Sequence, residues 1–283
     1  MDIKRIGVVG AGQMGAGIAQ VAASAGYSCA VTDIRNDALV TGAKTVEKSL
    51  AKLLAKGLID NKNEIVDRIQ WHADMERLRQ CDLAIEAVVE NEGVKKEVLR
   101  ALDSVLKEEA IIATNTSSIS ITRLANATTR PEKFIGMHFM NPVPLMNLVE
   151  IIRGHHTKDE TVLAIKTVAE KMGKTSTTSH DFPGFIANRI LMPMINEAFY
   201  ALMENVADAS DIDLTMKLGC NMPMGPLALA DMIGLDTCLA IIEVMHDGLG
   251  DDKYRPCPLL RKYVEAGLFG RKTKAGVYSY QTT

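Results

Sequence analysis

The chain has 283 residues, 47% hydrophobic and 24% charged, which is room for two globular domains with sizeable cores. Its 32 Lys and Arg against 35 Asp and Glu give a net charge of −3, which argues against a nucleic-acid surface. The most apolar long segment, residues 226–245, carries Asp231, Asp236 and Glu243, so a membrane span is not expected. Five cysteines without a C-x-x-C pair read as reduced thiols rather than a disulfide framework or a metal site.

In chain order, residues 3–9 form a short apolar run that reads as a buried strand. Gly10-Ala11-Gly12-Gln13-Met14-Gly15 follows, and residues 14–25 continue as an Ala-rich helix closed by Gly26. Residues 27–32 are a second strand, ending in Asp33. Each part suits a dinucleotide. Gly10 permits the tight turn, Gly12 lets the backbone approach a pyrophosphate, and Gly15 lets helix and strand pack closely. The helix N-terminus offers free N–H groups and a positive dipole end. Asp33, 18 residues past Gly15, is placed to accept hydrogen bonds from ribose hydroxyls. The same carboxylate opposes a 2′-phosphate, so the cofactor expected is NAD rather than NADP.

The next expected elements are an amphipathic helix over 37–56 ended by Gly57, a shorter one over 63–68, an apolar run over 82–89 closing in Glu90, and a helix over 95–107. Residues 110–114 read as a buried strand leading into Asn115-Thr116-Ser117-Ser118. Strands over 134–139 and 148–152 flank the turn Asn141-Pro142-Val143-Pro144, and a helix over 158–172 and a strand over 174–179 follow. Strands alternating with helices predict an α/β fold, a Rossmann-type doubly wound, mostly parallel sheet, with Asp33, Glu90 and Asn115 at strand ends facing the ligand crevice. Past the turn at residues 181–184 the patterns are helical, over 185–205, 209–218, 227–247 and 259–266. The predicted organisation is therefore a dinucleotide-binding domain at residues 1–183 and an all-α domain at 184–283. Eight methionines in the second part read as core filling or a subunit interface.

Hydride transfer from an alcohol needs a base for the hydroxyl proton. Of six histidines, only His138 ends an apolar strand beside an Asn-Pro-x-Pro turn, where α/β sheets place chemistry. Glu150 interrupts the apolar run Leu148-Val149-Glu150-Ile151-Ile152. If the two strands are neighbours the pair can touch, and the carboxylate would then fix the imidazole tautomer. The spacing equally allows a structural histidine and an exposed edge-strand glutamate. Asn188, at the start of an apolar helix, either points into the cleft or caps the helix.

Several motifs act together here: Gly10–Gly15 with Asp33, the run Asn115-Thr116-Ser117-Ser118-Ile119, the run from Gly136 through His138 to Pro144, Leu148-Val149-Glu150, and Gly184-Phe185-Ile186-Ala187-Asn188-Arg189. With Pro223-Met224-Gly225-Pro226 and Gly270-Arg271-Lys272-Thr273 they run from end to end. This set resembles the L-3-hydroxyacyl-CoA dehydrogenase family, most closely its short bacterial 3-hydroxybutyryl-CoA members. Residue by residue, the resemblance implies His138 as acid/base, Glu150 as its orienting partner, and Ser117 and Asn188 around the substrate oxygen. Asp33, Glu90, Lys95, Asn115, Asn141 and Lys272 match cofactor-contact positions, and Ser49 and Lys56 match positions that touch the CoA moiety. Met140, where relatives often carry Phe, and the segment 273–278 depart from the commoner forms and concern packing and chain-length preference.

The reading is an NAD-dependent (S)-3-hydroxyacyl-CoA dehydrogenase favouring short chains, cytoplasmic and homodimeric, with an acyl-CoA substrate and neither a nucleic acid nor a membrane as partner. A rival is a dehydrogenase of similar architecture acting on a free hydroxy acid. It would need a cationic clamp, for which Arg123 is the arginine near Ser117 in sequence. A second rival is a non-catalytic NAD-binding protein, whose signature would be loss of His138 or Glu150.

Overall fold

The computed structural model describes residues 2–280. The chain divides between Asp181 and Phe182 into two compact units.

The first unit is one eight-stranded sheet flanked by helices. In chain order it runs β1 (Arg5–Val9), α1 (Gln13–Ser24), β2 (Ser28–Thr32), α2 (Asn36–Ala55), α3 (Lys62–Asp67), β3 (Ile69–His72), β4 (Leu83–Glu86) and α4 (Glu92–Val105). It continues with β5 (Ile111–Thr114), α5 (Ile121–Ala125), β6 (Phe134–Phe139), β7 (Leu148–Arg153), α6 (Asp159–Lys171) and β8 (Thr175–His180). The strand order is β3-β2-β1-β4-β5-β6-β7-β8, and every pairing is parallel except β6 with β7. The order reverses between β1 and β4, the switch point at which doubly wound sheets open a ligand crevice.

Burial explains the strands. β4 and β5 are buried at every residue and β1 at four of five, as expected of central strands covered on both faces. Edge strand β8, Thr-Ser-Thr-Thr-Ser-His, is the polar exception and is largely exposed. The helices bury one stripe each; on α2 it is Ala38, Leu39, Gly42, Val46 and Leu50. Gly42 is required by contact, because a Cβ there would lie 2.7 Å from the Ala11 carbonyl oxygen and 2.9 Å from the Trp71 ring.

In this unit the expected elements are found, with three differences. β3 and α5 lie outside the sequence expectation, since four and five residues are too few to show a period. The run over 82–89 forms a strand only as far as Glu86, so Glu90 sits in the following loop rather than at a strand end.

The second unit is helical: α7 (Ala187–Met203), α8 (Ala209–Gly219), α9 (Pro226–Ile233), α10 (Leu235–Leu249) and α11 (Pro258–Glu265). The helix expected over 227–247 is two helices, broken at Gly234 with φ +108°. The apolar stripe runs unbroken through Leu227, Ala230, Leu235, Cys238, Leu239 and Ile242, so periodicity hides the break. Met192 and Met245 belong to this core, while Met203 and Met232 are partly exposed. Two buried carboxylates organise the unit. Asp213 accepts hydrogen bonds from the Leu227 and Ala228 N–H groups, at the otherwise uncapped start of α9, and from the Tyr278 hydroxyl. Asp231 accepts from the N–H groups of Val277 and Tyr278 and from the Tyr280 hydroxyl.

Candidate active site

The turn after β1 is built for close approach. Gly10 has φ +104°, and a Cβ on it would lie 2.6 Å from the Ala87 carbonyl oxygen after β4. A Cβ on Gly15 would meet the Gly10 oxygen at 1.8 Å. Gly12 is the opposite case: a Cβ there meets nothing within 4 Å, so the α1 N-terminus opens onto free space. Asp33 is pinned to this turn, Oδ2 accepting from the Ala11 N–H at 2.8 Å and Oδ1 from the Arg35 N–H at 2.9 Å. Each oxygen keeps a second lone pair for a ligand hydroxyl. Gly10, Gly12, Asp33, Ile34, Ala87 and Val89 line a cleft of about 590 Å³. Open backbone at a helix N-terminus, a carboxylate aimed at the turn and an apolar wall beyond it fit a dinucleotide.

The loop after β4 is organised by charge. Lys95, only 1% exposed, places Nζ 2.8 Å from Glu86 Oε1 and 3.4 Å from Glu90 Oε2. Glu86, fully buried, also accepts from the Val88 N–H and the Thr114 hydroxyl. Glu90 Oε1 in turn accepts from the Thr116 hydroxyl at 2.6 Å and from the N–H groups of Ser117 and Ser118 at 2.9 and 3.0 Å. Desolvation would push the Glu90 carboxyl up, but the Lys95 charge and these hydrogen bonds outweigh it and hold it below the ordinary glutamate value. The Ser117 segment is thereby clamped to the loop beside the glycine turn.

His138 and Glu150 lie opposite each other in the antiparallel β6–β7 ladder. The His138 Nδ1 to Glu150 Oε2 distance is 2.8 Å, and the residues are 6% and 1% exposed. The carboxylate is therefore no edge-strand acid. A carboxylate acceptor sets the tautomer with the proton on Nδ1, which makes Nε2 the basic nitrogen. Asn115 ties β5 to the end of β6, its Oδ1 accepting from the Phe139 N–H at 2.9 Å.

A second cleft, about 580 Å³, lies between α1, α2 and the turn after β6. Ser49 and Lys52 line it from α2, Lys56 from just past the end of that helix and Asn141 from the turn, with Gln13 Nε2 donating to Asn141 Oδ1 at 2.9 Å. Lys48 adds a third ammonium to the wall, which gives the cleft a cationic side.

Two family models cover the chain: the 3-hydroxyacyl-CoA dehydrogenase NAD-binding domain over residues 5–182, and the 3-hydroxyacyl-CoA dehydrogenase C-terminal domain over residues 184–280. The chain belongs to the 3-hydroxyacyl-CoA dehydrogenase family. It is 56% identical to 3-hydroxybutyryl-CoA dehydrogenase of Bradyrhizobium diazoefficiens, over 99% of this chain and 96% of that one. It is 40% identical to human mitochondrial hydroxyacyl-coenzyme A dehydrogenase, over 99% of this chain and 92% of that one. Among solved structures, (S)-3-hydroxybutyryl-CoA dehydrogenase from Ralstonia eutropha superposes with a TM-score of 0.97 at 49% identity, covering 99% of this chain and 100% of that one.

The first unit of this 3-hydroxyacyl-CoA dehydrogenase gathers Gly10, Gly12 and Asp33 at one cleft, with Gly15 packed against Gly10 behind it. It links Glu90, Lys95 and Ser117 in one network, and pairs His138 with Glu150. Ser49, Lys56 and Asn141 share the second cleft. Asn188 and Lys272 belong to the second unit. Asn188 is the second residue of α7, 9% exposed, and the N-cap position is Ile186, without a side-chain cap. Lys272 pairs with Asp236 at 2.5 Å. Glu86, Thr116 and Ser118 were not among the expected site residues. Glu86 carried a signal, as an acid inside the apolar run 83–89 with a lysine nine positions on. Among the described residues, no His, Cys, Asp and Glu cluster could hold a metal ion, and no helix is long and apolar enough to cross a membrane.

Proposed function

We propose that this enzyme oxidises (S)-3-hydroxyacyl-CoA, with 3-hydroxybutyryl-CoA as the short-chain substrate, to 3-oxoacyl-CoA, and runs the reverse reduction of acetoacetyl-CoA. The observation that carries the mechanism is the buried His138–Glu150 pair at 2.8 Å. NAD, when bound, supplies the acceptor for the hydride that leaves C3. Gly10, Gly12, Gly15 and Asp33 would hold it, with Glu90, Lys95, Asn115, Asn141 and Lys272 as further contacts.

In oxidation His138 Nε2 takes the substrate hydroxyl proton as the C3 hydrogen departs with its electron pair, and Glu150 stabilises the imidazolium that forms. In reduction the same nitrogen returns the proton to the C3 oxygen. Ser117 and Asn188 would donate to that oxygen. The cationic cleft at Ser49 and Lys56 suits the phosphates of the CoA moiety. The second unit would pair with a second copy, a reading supported by exposed Ile190, Val206, Leu214 and Leu218. A cytoplasmic setting agrees with cysteines that stay free thiols, four of them buried.

The free-acid alternative needs a cationic clamp, and Arg123 is engaged by Glu92 at 3.2 Å. Turnover of NADH with acetoacetyl-CoA, and none with free acetoacetate, is the result expected. Equal rates on both would refute the CoA reading.

A further inference from the structure

Lys174 is a buried cation that the mechanism above does not use. It is 7% exposed, it precedes β8, and among the described residues it makes no salt bridge with a carboxylate. Its Nζ instead donates to two backbone carbonyls, Val143 at 2.7 Å and Met146 at 2.8 Å. Both belong to the segment joining β6 to β7, the stretch of chain between His138 and Glu150.

That segment is held from two sides. On one side α1 fixes it: Gln13 donates to Asn141, and Val143 packs so close to Gly17 that a Cβ there would approach its Cβ to 2.8 Å. On the other, the Thr175 N–H donates to the Asn147 oxygen at 2.8 Å, directly beside the two Lys174 bonds. The segment's outer face, residues 141–145, forms one wall of the cationic cleft, and Lys174 itself does not line that cleft. An ammonium can satisfy both carbonyls at once, whereas an apolar side chain of similar length would leave two acceptors unpaired. A carbonyl deprived of its donor would turn towards water, and both carbonyls belong to the segment that forms the cleft wall.

We propose that Lys174 is a positioning residue for substrate, fixing the 142–146 turn so that the cleft accepts the CoA portion of an acyl-CoA. The proposal rests on the reading of that cleft as the CoA site.

Its test compares acetoacetyl-CoA with the N-acetylcysteamine thioester of acetoacetate, which keeps the reacting carbonyls and lacks the nucleotide. In the wild type the CoA ester should have the lower KM. Lys174→Met should raise KM for acetoacetyl-CoA about tenfold, leave the short thioester and the NADH Kd within twofold, and speed amide exchange across residues 142–147. Lys174→Arg, which donates to both carbonyls, should restore most of the loss. If Lys174→Met does not fold, Lys174→Gln, with one amide donor pair, should show the same split. Equal losses on both thioesters, or an unchanged KM for acetoacetyl-CoA, would overturn the role of Lys174. A wild type without preference for the CoA ester would overturn the cleft assignment and the proposal with it.

Discussion

His138 and Glu150, twelve residues apart in sequence, face each other across an antiparallel ladder with 2.8 Å between Nδ1 and Oε2. A buried carboxylate at that nitrogen fixes which ring nitrogen is basic. We propose that the two residues act as one functional unit. His138→Gln and Glu150→Gln should each lower kcat, and the double variant should be little worse than either. Multiplicative losses would mean independent roles.

Asp33 should choose the cofactor. Its carboxylate is fixed against the glycine turn by the Ala11 and Arg35 N–H groups, so a 2′-phosphate would meet a charge that cannot swing away. The enzyme should prefer NADH to NADPH in kcat/KM, and Asp33→Ser should narrow the gap chiefly by improving NADPH. Equal use of both cofactors by the wild type would remove Asp33 from this role.

Glu90 makes a prediction in acid. Its folded carboxyl lies below the ordinary value of 4.5, so the stability it contributes is present above that value and is lost as pH falls through the lower folded one. Glu90→Gln cannot titrate. The Tm difference between wild type and Glu90→Gln should be positive at neutral pH and shrink below about pH 4.5. A difference independent of pH would show that the Glu90 charge does not matter.

In the helical unit, Asp231 satisfies three donors from residues 277–280 while itself 1% exposed. Asp231→Ala should cost about 2–4 kcal/mol by chemical denaturation, because two backbone N–H groups lose their acceptor. A cost under about 0.5 kcal/mol, the scale of a surface change, would contradict this network.

The exposed apolar residues of the same unit predict a dimer. Sedimentation at micromolar concentration should show about twice the 30.8 kDa chain mass, and a species of 30.8 kDa alone would rule the dimer out.

What the sequence made legible is local. Gly10, Gly12, Gly15 and Asp33 lie along one β-α-β unit, so their spacing is visible in the sequence. His138 and Glu150 were visible as candidates, but whether they touch depends on a ladder register that spacing left open. The Glu86–Lys95–Glu90 chain was harder to see, since Glu86 falls inside an apolar run and its partners Lys95 and Thr114 come from a helix and a neighbouring strand. Lys174 had no local signal at all, because its partners are backbone carbonyls some thirty residues away. The break between α9 and α10 was masked by a stripe that keeps its period across Gly234.

The most direct test is kcat of Glu150→Gln for acetoacetyl-CoA reduction at saturating NADH. The amide preserves shape and removes the carboxylate charge that faces the His138 ring, so kcat should fall about 10²–10⁴-fold, the range of general acid–base catalysis, with NADH affinity retained. A Glu150→Gln enzyme with near-normal kcat would contradict the dyad as the acid/base centre.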